Sequence, residues 1–111
     1  PHMSARRQRQ MCIRDRLFKK EDCKPCKVAQ KNLQEVLLKN KHLEDYIRVL
    51  DIKNHTALRG VYCLEKFPTL LLLSKHGQEI KRTVGGRNLT KDLFFTALNE
   101  VRKGRSYDLS S

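Results

Sequence analysis

Two cysteines three positions apart constrain this chain more than any other feature. They stand in Glu21-Asp22-Cys23-Lys24-Pro25-Cys26-Lys27-Val28. Val28, Ala29, Leu33, Val36 and Leu37 fall on one face at spacings of three and four, the mark of an amphipathic helix. A helix from about Cys23 to Asn40 puts Cys23 in the positive field of unpaired backbone N–H groups. That field favours a thiolate, the nucleophilic form of cysteine. Lys24 and Lys27 add to it, and Asp22 opposes it. Pro25 falls in the first turn, where its missing N–H costs nothing, and Asp22 is a favoured residue type for the N-cap. Cys26, one turn in, can close a disulfide onto Cys23 and expel whatever Cys23 has captured. This spacing beside a β-α-β pattern reads as a redox dithiol. The alternatives are inert buried thiols or half of a zinc site. Zinc needs two more ligands at workable spacing, and His42, His55, His76 and Cys63 are scattered, so no metal is expected.

With 111 residues, the chain is expected to form one domain with a modest core. No apolar run approaches the roughly 18–20 residues of a membrane span. The formal charge of +12 would ordinarily raise nucleic acid or an anionic membrane as a partner. Much of it lies in one suspect stretch. Pro1-His2-Met3 has the look of a cleavage and cloning scar. Arg6 to Arg16 resembles one reading frame of a DNA-sequencing adapter, of the kind found at the ends of reading frames assembled from metagenomic reads. Arg6, Arg7, Arg9, Arg14 and Arg16 against Asp15 carry a net four charges, leaving +8 spread along the chain without a stripe. No specific nucleic-acid partner is expected. On this reading residues 1–16 are non-native, Cys12 included, and the natural N-terminus and any targeting segment lie outside the sequence. Residues 17–103 form the domain, and residues 104–111 a flexible tail.

In order, residues 1 to about 12 are expected to be loosely placed. A strand from Ile13 to Phe18 is expected to be truncated, with Leu17-Phe18 its surviving native end. The first helix follows, then a turn from Asn40 to Glu44 and a strand from Tyr46 to Ile52. A short helix runs from Thr56 or Ala57 to about Tyr62. In Phe67-Pro68-Thr69-Leu70-Leu71-Leu72-Leu73, the continuous apolar run indicates a central strand buried on both faces. Lys75-His76-Gly77-Gln78 turns the chain into an antiparallel strand from Glu79 to Val84. After Gly85-Gly86, Asn88 or Thr90 caps a last helix with Leu93, Phe94, Ala97, Leu98 and Val101 inward.

This β-α-β-α-β-β-α order, with the dithiol after the first strand, resembles a thioredoxin over about Leu17 to Val101. The likeness rests on Cys-Lys-Pro-Cys, Phe67-Pro68-Thr69, Gly77 in the hairpin and Val84-Gly85-Gly86. It implies an α/β thioredoxin-like fold with a central mixed sheet of about four strands flanked by helices. It also implies a cis Pro68 against the dithiol, with Phe67 offering its backbone to substrate and Gly86 leaving room for it. Cys23 and Cys26 would be catalytic; Lys24, Pro25, Phe67, Pro68 and Gly86 would line the substrate site. The activity implied is reduction of protein disulfides, with no cofactor beyond the dithiol, electrons from a reductase, and a cytoplasmic location.

The chain departs from the family where Asp22 replaces the usual Trp, Leu17 a buried carboxylate, and Lys31 a mid-helix proline. These changes point toward glutaredoxin-like or viral thioredoxin-like relatives. A glutathione-dependent enzyme and a non-catalytic binding module are the competing readings. Cys63 is expected to be a small, partly buried apolar residue, with a regulatory thiol as its alternative. The truncated first strand is expected to be poorly formed or borrowed from a second copy, giving a monomer or a swapped dimer.

Overall fold

The computed structural model describes residues 14–103. The expectations for residues 1–12, for Ile13 and for the tail at 104–111 lie outside them. The elements are β1 (Asp15–Lys19), α1 (Lys24–Lys39), β2 (Ile47–Asp51), α2 (Thr56–Val61), β3 (Thr69–Leu73), β4 (Glu79–Val84) and α3 (Lys91–Arg102). Short 3-10 turns, Lys41–Tyr46 and Ile52–Asn54, flank β2.

The four strands form one mixed sheet in the order β2-β1-β3-β4. β1 runs parallel to β2 and antiparallel to β3, and β4 returns antiparallel to β3. Parallel neighbours need a crossover, which α1 supplies. Successive residues of a strand face opposite sides, and the core divides accordingly. Leu17, Ile47 and Leu70 pack with Ala29, Leu33 and Val36 of α1 and Phe94 and Leu98 of α3. Phe18, Leu50, Leu71 and Leu73 point the other way, with Ile52, Leu64 and the partly buried Leu58 and Tyr62 around α2. Every residue of β3 is buried, as its unbroken apolar run requires. Gly77 turns the hairpin at φ +83°, a conformation glycine adopts at little cost.

Three expectations are corrected. β1 is neither poorly formed nor at an edge: Asp15–Lys19 pairs on both sides within the chain, and β2 and β4 are the edges. Asp22 does not cap α1; Cys23 holds the N-cap position, and Asp22 precedes it at φ +52°. Val28 is 52 % exposed. The buried residues of α1 are Cys26, Ala29, Leu33 and Val36, and Val28 lies about 100° around the helix from Ala29.

β1 also carries a polar defect. Asp15 is fully buried, and neither carboxylate oxygen has a hydrogen-bond partner. Arg16 Nε is unpartnered and buried as well. Burial pushes the Asp15 carboxyl up from 3.8 to about 7. It abuts a cavity of about 370 Å³ whose lining includes Leu70, Leu72, Leu93 and Ala97, with Lys81, Asp92 and Glu100 also facing it.

Candidate functional site

Cys23 and Cys26 are joined by a disulfide, with Cα atoms 5.2 Å apart. The helix start makes this closure easy. Cys23 is extended at φ −123°, ψ 103°, and its Sγ accepts a hydrogen bond from the Cys26 backbone N–H at 3.2 Å. The sulfur thus takes the place of the side-chain oxygen of an ordinary N-cap. An N–H placed in this way stabilises negative charge on the sulfur it faces. Pro25 sits at the second helical position, where no N–H is needed.

Cys23 keeps 6 % of its surface and Cys26 2 %. Cys23 is the less covered of the two, yet far more covered than a free helix end would be. The Phe67-Pro68 segment lies against it, with the Phe67 carbonyl oxygen 3.8 Å from Cys23 Sγ. The Phe67–Pro68 peptide bond is cis. The Pro68 carbonyl accepts from the Gly85 N–H at 2.9 Å, tying this segment to the glycine pair.

Gly86 closes the arrangement. A Cβ there would stand 2.8 Å from the Pro25 carbonyl oxygen and 3.0 Å from Pro25 Cα and Cβ. The close neighbour of Gly86 is thus the dithiol turn itself. Phe67 therefore meets Cys23, Gly86 meets Pro25, and the buried Pro68 is bonded to Gly85 between them. Lys24 is exposed beside them.

Two cations converge on Phe67: Lys20 Nζ is 5.9 Å and Arg59 Cζ 5.8 Å from its ring centroid. Nothing in the sequence pattern marks these residues, since one follows β1 and the other lies in α2. Glu21 is held by Lys53 in an exposed ion pair, and their hydrogen bond keeps the Lys53 ammonium above its usual range. Arg82 of β4 binds Glu79 in two places and donates to the Tyr62 and Cys63 carbonyls. These bonds anchor the loop leading to Phe67. Cys63, expected to be partly buried, is exposed and takes φ +52° just past the end of α2, a position usual for glycine. Among the described residues no group of three or more His, Cys, Asp or Glu is placed to hold a metal ion.

No protein-family model matches the sequence, and no curated protein does. Solved structures do. A thioredoxin of Fasciola hepatica superposes with a TM-score of 0.63 at 13 % identity, covering 89 % of this chain and 92 % of its own. Thioredoxin from Malassezia sympodialis gives 0.60 at 17 % identity over 86 % and 83 %. Thioredoxin 1 from Thermosipho africanus gives 0.57 at 23 % identity over 83 % and 93 %. At such identities the likeness is one of architecture, and the architecture is shared along most of each chain.

Proposed function

Taking the thioredoxin fold of this chain as the premise, we propose that it is a thiol-disulfide oxidoreductase that reduces protein disulfides through Cys23 and Cys26. The observation that carries this reading is the disulfide across the first turn of α1, with the Cys26 N–H directed at Cys23 Sγ. In the reduced protein, the Cys23 thiolate attacks one sulfur of a substrate disulfide. A Cys23–substrate disulfide forms, and the departing sulfur leaves as a thiolate that takes up a proton. Cys26 then attacks Cys23 Sγ, restoring the internal disulfide and releasing the second substrate thiol. Two electrons pass from the dithiol to the substrate. A reductase restores them, in a reducing compartment such as the cytoplasm, and no bound cofactor takes part. Lys24, Pro25 and Phe67 form the surface that a substrate chain meets, and Pro68 backs it from a buried position.

The test is reduction of insulin by dithiothreitol, followed by turbidity. Wild type accelerates the reaction, and the Cys23→Ser/Cys26→Ser protein leaves it at the uncatalysed rate. Equal rates for the two proteins would remove the reading. A second reading, a thioredoxin-fold binding module without turnover, is favoured by the small exposure of both sulfurs. A double-serine protein that keeps its full biological activity would establish it. Turnover that requires glutathione would instead mark a glutaredoxin-like enzyme.

A further inference from the structure

We propose that the dithiol face selects disulfides set in acidic segments, with Lys20 and Arg59 as the residues that read the charge. This rests on the oxidoreductase reading above. Phe67 borders Cys23, its carbonyl oxygen 3.8 Å from Cys23 Sγ. The Phe67 ring carries two cations, at 5.9 and 5.8 Å from its centroid. An aromatic face offsets part of a cation's charge, and only weakly at an exposed site. Two like charges on one ring also repel each other. A carboxylate placed beside that ring relieves both.

The neighbouring charges point the same way. Lys24 and Lys27 are exposed in the first turn of α1. Among the described residues no carboxylate lies within ion-pair distance of Lys20, Lys24, Lys27 or Arg59. The acidic groups nearby do not cancel them. Glu21 is engaged by Lys53. Asp51 accepts only a backbone N–H and keeps its charge, so Asp22 and Asp51 stand as two carboxylates against four cations. Glu21, Asp22 and Asp51 share a concavity of about 430 Å³ at Cys26 with Lys19, Lys20 and Lys27. An extended peptide advances about 3.3 Å per residue. A Glu or Asp a few positions from the substrate cysteine is the group that Lys20 and Arg59 would meet.

The test uses three disulfide-bridged peptides of equal length whose cysteines are flanked by Glu, by Gln or by Lys. Rates with the reduced full chain are divided by rates with dithiothreitol alone, which removes the peptides' own differences in reactivity. The acidic peptide is expected to react about three- to tenfold faster than the neutral one at low salt, and the basic one more slowly, the three converging at high salt. The Lys20→Gln/Arg59→Gln protein narrows the acidic-to-neutral ratio toward one. Lys39→Gln, about 20 Å away at the other end of α1, leaves the ratio unchanged. Equal normalised rates for all three peptides would overturn the proposal while the oxidoreductase reading stands. So would a Lys39→Gln effect as large as that of the double substitution, because net charge would then be the cause. If none of the peptides is reduced, the oxidoreductase reading fails and this proposal falls with it.

Discussion

Gly86 is the residue on which the geometry of the dithiol turn depends most directly. Its α-carbon is pressed so close to Pro25 that a methyl group would stand 2.8 Å from the Pro25 carbonyl oxygen. That atom is backbone at the start of a helix and cannot swing aside as a flexible side chain could. Gly86→Ala is therefore expected to cost about 1–3 kcal/mol, as overpacking does, and to slow insulin reduction by moving Cys23 relative to Phe67. Thermal melting and the turbidity assay read the two effects. Wild-type values in both for the Gly86→Ala protein would show that the contact yields freely. Cys63 is a milder case of backbone demand. It occupies a left-handed position with its N–H bonded to the Gly60 carbonyl at 3.3 Å.

Among the elements, β1 shows a conflict between sequence and place. A strand paired on both sides and covered by α1 and α3 suits apolar residues, and Leu17 and Phe18 satisfy it. Asp15 and Arg16 do not. They carry the buried side-chain polar atoms without partners among the described residues, and both fall in the stretch that resembles a translated adapter. The folded-state pKa of Asp15, about 7, lies above its ordinary 3.8. The folded protein therefore holds this proton more tightly than the unfolded chain does. Its contribution is complete below about pH 4 and is lost as pH rises toward 7. The interval between the two values corresponds to about 4 kcal/mol. Asp15→Leu is expected to recover most of that above pH 7. In urea unfolding, wild type should weaken between about pH 4 and pH 7, and the variant should lose that slope. An equal slope in both proteins would assign it elsewhere. Glu35 and Glu79 act in the opposite sense and in another range. Lys91 and Arg82 hold them below their usual values, so their stabilisation is lost only as pH falls through the acid region.

At the scale of the whole molecule, the sheet separates two bodies of apolar side chains that meet only through its backbone. Ile47 belongs to the side of α1 and α3, Ile52 to the side of α2. They are on the order of 15 Å apart along the chain's path. Ile47→Val and Ile52→Val should each cost about 0.5–1.5 kcal/mol. The double substitution should cost their sum to within about 0.5 kcal/mol, since neither residue shares a partner with the other. A larger departure in denaturant unfolding would show that the sheet passes strain between its faces.

Local chemistry was sufficient to locate most of these elements in the chain. The apolar run of Leu70 to Leu73 allowed only a buried strand, and Glu79–Val84 emerged with the bounds its hairpin turn implied. Thr90, one of two candidate caps, accepts from the Leu93 N–H at 3.1 Å. Leu89 went unread, because one apolar residue in a polar loop has no period; it is fully buried, and its carbonyl accepts from Asn32. What governs the position of Cys23 was likewise hidden. The spacing of Cys23 and Cys26, Pro25 and the helical pattern determined by themselves that two sulfurs would meet at a helix start, since such contacts lie within one turn. The cover over Cys23, the approach of Gly86 to Pro25 and the pairing of Lys20 with Arg59 on Phe67 were decided only by the tertiary structure. Each joins residues tens of positions apart, and no local periodicity encodes which distant segments a sheet brings together.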